Sequence, residues 1–178
     1  FRNCSLIGSF TSTVNSNMPL WAHYANNHKG ICIEYEVENN LQIYPVTYET
    51  QRIDATTSIV NVINRTLQKS RGDTHDDDFF IMYFQFCMKH YSWKYEEEYR
   101  AVIPRSTYLG TGENVELSEI GLKITAIYLG YDINDKHKRD MIGIGQKLGI
   151  DVFEMGVNYE SIDFQLIRKK IDKNEKIV

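Results

Sequence analysis

The sequence predicts an α+β domain with a mixed, mostly antiparallel sheet flanked by helices. Runs with strand character recur along the 178 residues, Ile31–Val37 and Leu122–Gly130 being the clearest. Helical patterns fall between them, but strands and helices do not alternate regularly enough for a doubly wound parallel fold. No Gly-rich phosphate loop follows any strand. The length suits one ordinary domain, and 42% hydrophobic with 25% charged residues is normal for a folded soluble protein.

Each element has a local reason. Cys4–Ser12 reads as a strand running into the polar turn Asn15–Asn17. Asn17 suits a helix cap, Pro19 a first helical turn and Gly30 a stop, which predicts a helix over Pro19–Asn27. Ile31–Val37 is the next strand, and Leu41–Tyr48 another after the Glu38-Asn39-Asn40 turn. Ser58–Ser70 carries Ile59, Val60, Val62, Ile63 and Leu67 at helical spacing. The acidic loop Gly72–Asp78 leads to an apolar helix ending near His90. A charged strand over Lys94–Ile103 stops at Pro104, and a Gly-containing loop, Leu109–Asn114, follows it. Leu122–Gly130 is a strand, Asp135–Leu148 a helix closed by Gly149, Ile150–Met155 a strand and Asp163–Ile171 the last one. One domain over residues 1–171 and a charged tail over 172–178 are expected. Because Phe1 already opens on strand-like residues, we expect an N-terminal segment of the domain to precede it.

Composition narrows the function classes. A net charge of −4 supplies no basic field for nucleic acid. No signal peptide or bilayer-length apolar run is visible, so no membrane association and a cytoplasmic location are expected. Three widely spaced cysteines, Cys4, Cys32 and Cys87, match neither a disulfide framework nor a zinc pattern and read as reduced thiols. Twelve Tyr and eight Phe are many for this length; such rings fill cores and also stack flat ligands.

Three constellations carry chemistry. Read as a strand, Trp93–Pro104 puts Lys94, Glu96, Glu98 and Arg100 on one face, about 7 Å apart. That row is either a salt-bridged sheet face or, in a cleft, a pair of carboxylates raising each other's pKa. In the second, Trp21, His23 and Tyr24 share one helical segment and form either a pocket wall or a core-docking face. In the third, Gly8–Thr13, the hydroxyls of Ser9, Thr11, Ser12 and Thr13 at a strand end either orient a ribose or phosphate or cap the following turn. His23 and His28 diverge on a continuous helix, so no metal pair is expected. Arg71-Gly72-Asp73 reads as chance, and Asp76-Asp77-Asp78 lacks calcium-loop spacing.

Two motifs, Leu20-Trp-Ala-His-Tyr-Ala-Asn-Asn-His-Lys-Gly-Ile-Cys-Ile-Glu-Tyr35 and Trp93-Lys-Tyr-Glu-Glu-Glu-Tyr-Arg100, resemble a large bacterial family of uncharacterised domains. The strand Ile127-Tyr-Leu-Gly130 fits its later part. The order of a Phe-Thr-Ser-Thr strand end, a helix, a strand and a later Glu-x-Glu strand is in turn similar to ADP-ribosyltransferases. That resemblance implies an NAD-consuming transferase or glycohydrolase, with NAD as substrate and no metal. Glu98 would hold the ribose 2′-hydroxyl, with Glu96 accessory and Arg100 supporting. Thr11, Ser12, Trp21, His23, Tyr24 and Trp93 would line the pocket. The motif departs from that family by reading Thr-Ser-Thr and by placing its Pro two residues late, so a register pairing Glu98 with Arg100 stays open. The alternative is a non-catalytic module of a stress or phage-defence system that binds a small ligand, such as a nucleotide, or a partner.

Overall fold

The structure is a computed structural model that describes residues 5–14, 17–38, 43–52, 56, 60, 86–104, 114–163 and 165–172. In chain order its elements begin β1 (Ser5–Thr11), α1 (Met18–Tyr24), β2 (Ile31–Val37), β3 (Ile43–Pro45) and β4 (Thr47–Glu49). Then follow β5 (Met88–His90), β6 (Glu98–Pro104), β7 (Leu122–Leu129), α2 (Asp135–Leu148), β8 (Asp151–Val157) and β9 (Leu166–Lys170). Short 3₁₀ segments occupy Tyr91–Glu96 and Leu117–Ile120. The class is α+β with mixed, mostly antiparallel pairing: β1–β6, β3–β6, β2–β7 and β8–β9 are antiparallel, β4–β5 and β7–β8 parallel. The chain packs as two compact units, each built from two stretches of sequence: residues 1–12 with 42–113, and 13–41 with 114–178.

In the first unit β6 is the middle strand of the order β1-β6-β3, and β4 pairs with β5. The register sets Thr11 opposite Glu98 and Ser9 opposite Arg100. Phe86, Cys87 and Val102 form its core, with Tyr44 packed against them.

In the second unit the strands run β2-β7-β8-β9. Ala126, Ile127, Tyr128 and Leu129 are all buried, as befits an inner strand covered on both faces. One face packs Ile127, Leu129 and Val152 with Ile142 of α2; the other packs Ala126, Tyr128, Met155 and Leu166 with Trp21 and Ala25. Helix α2 runs between the expected limits. Asn134 accepts the His137 N–H at 2.9 Å, and Gly149, at φ 71°, takes the left-handed stop.

Several expectations are corrected. The segment before Glu98 is not strand: Tyr91–Glu96 is 3₁₀, and Glu97 takes a left-handed φ of 42°. Helix α1 stops at Tyr24, because Asn26, Asn27 and His28 all adopt positive φ. Leu41–Tyr48 divides into β3 and β4, and residues 88–90 form β5 where the end of a helix was expected. The last strand starts at Leu166. Most of Ser58–Ser70, the acidic loop with Arg71–Asp73 and Asp76–Asp78, Cys4 and the tail after Asp172 lie outside the described residues.

Candidate functional site

The carboxylates of the first unit are brought together by a turn. His90 Nδ1 accepts the Ser92 N–H at 3.3 Å and opens the 3₁₀ segment. With three residues per turn, positions three apart eclipse, so Tyr91 lies beside Lys94 and Trp93 is on the side of Glu96. Accordingly the Lys94 ammonium stands 5.3 Å from the Tyr91 ring centre. Glu97 then reverses the chain direction locally, and β6 begins at Glu98.

The partners differ from the expected row. Lys94 is not in the cluster; its place is taken by Lys89, whose Nζ reaches Glu96 and, at 3.1 Å, Glu98. Arg100 grips Glu98 with two N–H groups, Nε to Oε1 at 2.8 Å and Nη2 to Oε2 at 3.1 Å. Its Nη1 donates to the Phe86 carbonyl. The Ser9 hydroxyl, from β1, adds a further hydrogen bond to Glu98. Tyr48 Oη accepts the Glu98 N–H at 2.8 Å, and the Glu98 carbonyl accepts from Val46 N–H at 2.9 Å. Glu96 and Glu98 are 3% and 6% exposed.

Two carboxylates and two cations thus balance in charge. Burial alone would push the Glu98 carboxyl up, but hydrogen bonds from Arg100, Ser9 and Lys89 and the Arg100 charge outweigh it and hold it at about 2. The Glu98 carboxyl is thus lowered, where the cleft reading of the row has neighbouring carboxylates raising it. Burial likewise opposes the Lys89 charge, and the bonds to Glu96 and Glu98 prevail and raise its pKa. The Lys89 ammonium also lies 5.0 Å from the centre of the Trp93 ring, which is 41% exposed, and Trp93 stands 6.1 Å from Tyr95.

Among the other expected site residues, Thr11 ends β1 directly opposite Glu98, and Ser12 follows in a bend. Trp21, His23 and Tyr24 lie on α1 of the second unit. Trp21 is 3% exposed and donates its indole N–H to the Val14 carbonyl at 2.9 Å, so it is a core anchor of that unit. His23 and Tyr24 are exposed, edge to face at 6.5 Å.

Sequence reading missed Tyr48 and Lys89 and set Ser9 within the hydroxyl-rich strand end without linking it to Glu98; all three meet Glu98 through contacts between distant segments. It also missed a second polar cluster. Tyr128 Oη donates to Glu34 at 2.5 Å and accepts from Arg168 Nη1 at 2.9 Å, while Thr125 donates to Glu34 at 2.8 Å. The Arg168 guanidinium rests over Phe153 and Tyr128, at 5.3 and 5.9 Å from the ring centres. Burial and the bond to Glu34 push the Tyr128 phenol up to about 12. The meeting of Glu34 and Arg168, from the two outer strands of the sheet, was not legible in the sequence.

Among the described residues no cluster of His, Cys, Asp or Glu is arranged to hold a metal, and no helix is long and apolar enough to cross a membrane. Cys32 and Cys87 are both free thiols. No curated protein and no solved structure matches the chain. Residues 20–101, which include both the Trp-x-His-Tyr motif and the Glu96–Arg100 network, match the family described as Protein of unknown function (DUF2971).

Proposed function

We propose that the first unit binds a flat anionic ligand, a nucleotide by chemical class, without transforming it. The observation that carries this reading is the saturation of Glu98 beside open aromatic rings. An ionised carboxylate offers about four acceptor sites. Arg100 Nε, Arg100 Nη2, Lys89 Nζ and the Ser9 hydroxyl supply four donors. A ribose hydroxyl would have to displace one of them from a buried, charge-balanced network. A carboxyl held at about 2 is also a weak base. Tyr91 and Trp93, by contrast, are 50% and 41% exposed, with Lys94 and Lys89 against their faces. The rings suit a base, and the Lys94 ammonium, which lies outside the carboxylate cluster, suits a phosphate.

A second reading, an ADP-ribosyltransferase or NAD glycohydrolase using Glu98, is favoured by one feature. The hydroxyl-bearing end of β1 pairs directly with the start of β6, Thr11 opposite Glu98, which brings together the two strands that the resemblance to those enzymes assigns to the site.

One experiment separates them. The protein is incubated with NAD and followed for nicotinamide release, and its melting temperature is measured with NAD, AMP and ADP. The binding reading expects a nucleotide to raise the melting temperature by several degrees at 100-fold excess over Kd, without nicotinamide. The shift is expected to shrink in Trp93→Ala. Nicotinamide release by the wild type that is lost in Glu98→Gln overturns it in favour of the transferase. Absence of any nucleotide-dependent shift overturns the binding reading.

A further inference from the structure

The turn joining α1 to β2 concentrates backbone strain. Asn26, Asn27 and His28 have φ of 48°, 53° and 64°, three successive non-glycine residues in the left-handed region. Left-handed φ is unfavourable for residues that carry a Cβ, Asn being the more tolerant of them. Hydrogen bonds offset that cost. The amides of Asn27, His28, Lys29 and Gly30 donate to the carbonyls of Ala22, Trp21, Asn26 and Ala25 at 3.1, 3.2, 3.2 and 2.8 Å. The turn is also pinned to the end of β7. Gly130 N–H donates to Gly30 O at 2.9 Å, and Asp132 N–H to His28 O at 3.1 Å. The approach is so close that a Cβ on Gly130 would stand 2.0 Å from the His28 carbonyl oxygen.

The backbone of this turn is therefore satisfied, and the exception is a side-chain atom. His28 is 8% exposed, its ring stacked against Trp21 (6.4 Å, 10°) and Tyr131 (4.5 Å, 37°). Its Nδ1 is buried and has no hydrogen-bond partner. A neutral imidazole can leave one ring nitrogen as an unused acceptor, whereas an imidazolium must donate from both nitrogens. A proton on Nδ1 would place a charged donor where nothing accepts it, at a cost of several kcal/mol unless the ring moves. The surroundings offer little compensation. From α1 the ring meets uncharged Trp21. Tyr131 and Asp132 face it from the segment after β7, and Asp132 is already paired with Lys29 of the same turn at 3.7 Å. Burial lowers the His28 pKa, and the Asp132 charge opposes that without overcoming it.

We propose that His28 is a proton-operated latch: neutral, it fills the slot between Trp21 and Tyr131 and keeps the left-handed turn closed on Gly130; protonated, it leaves the slot and the turn opens. The device responds to acidification in the range where histidine titrates, and it acts on the segment connecting α1 to the sheet of the second unit. It does not depend on the nucleotide reading of the first unit.

The test uses the full chain. Histidine ring resonances are titrated by NMR, and hydrogen exchange of the amides of residues 27–30 is compared at pH 7.5 and 5, corrected for intrinsic rates. Expected are a His28 titration below its ordinary 6.5 and a measurable fall in protection of these amides between the two pH values. His28→Phe keeps a flat ring in the slot and is expected to abolish the pH-dependent loss. The wild-type titration stands independently of how that variant folds. Overturning results are a His28 that titrates at or above 6.5, protection that does not change with pH, or an equal loss in His28→Phe.

Discussion

Glu98→Gln takes one charge from a network in which two carboxylates and two cations balance, and leaves Lys89 and Arg100 short of an anion in a site of low exposure. Removing one partner of a buried ion pair costs about 3–5 kcal/mol, far more than the about 0–1 kcal/mol of an exposed pair. Urea unfolding at pH 7 is expected to show a loss of that size for Glu98→Gln. The exposed pair Lys29–Asp132, at 3.7 Å, serves as the contrast, and Lys29→Ala is expected to change stability by less than about 1 kcal/mol. Tyr128→Phe is a second case. It deletes a hydroxyl that donates to Glu34 and accepts from Arg168, in a residue that is 1% exposed. Its expected cost is about 1–3 kcal/mol in the same measurement. A neutral result in either buried substitution would show that the network is replaceable by packing alone. Cysteine is inert in this respect: burial pushes the Cys87 thiol up, away from the thiolate that would make it reactive.

At the scale of elements, what was legible in the sequence is what is decided within a few residues. The cap Asn134 and the stop Gly149 bound α2, and the alternating run Ile31–Val37 is β2 from end to end. The segment Trp93–Glu97 shows the opposite. Its Trp-Lys-Tyr-Glu pattern has the period of a strand, yet His90 caps a 3₁₀ turn and Lys89 draws Glu96 inward. Contacts between residues seven and nine apart settled the matter, and no local rule contains them. In the same way, Glu98 and Arg100 were found as site residues because they sit two apart on a true strand, while Ser9 and Tyr48 came from other strands of the unit. The turn predicts its own mutational response. Glu97 sits at φ 42°, where a Cβ is unfavourable and a β-branched one more so. Glu97→Gly is expected to be neutral or to stabilise by up to about 1 kcal/mol, and Glu97→Val to cost about 1–2 kcal/mol. Thermal melts of the two variants check this; equal effects would mean that the left-handed geometry at residue 97 is not what holds Glu96 and Glu98 together.

For the whole molecule, two buried groups with lowered pKa, His28 and Glu98, imply an acid response in two steps. His28 has a folded pKa below its ordinary 6.5, so the unfolded chain binds that proton more readily. Its contribution is complete above pH 6.5 and is lost as the pH falls below that value, levelling off once the folded pKa is passed. Glu98 also has a lowered pKa, about 2 against an ordinary 4.5, and its contribution is complete above 4.5 and lost between there and about 2. The second step corresponds to about 3 kcal/mol, since each tenfold change in proton affinity is worth about 1.4 kcal/mol. Urea midpoints followed by circular dichroism from pH 8 to 2.5 are expected to stay level above about pH 7, decline as the pH falls below 6.5, and decline again below 4.5. His28→Phe removes the first decline and leaves the second. Glu98→Gln lowers the plateau and flattens the second, while the first persists. The pairing of variants with pH windows is what the argument stands on, because the other carboxylates of the chain add to the low-pH loss in every variant alike. A first decline that survives in His28→Phe, or a second that is as steep in Glu98→Gln as in the wild type, would place the responsible protons elsewhere in the fold.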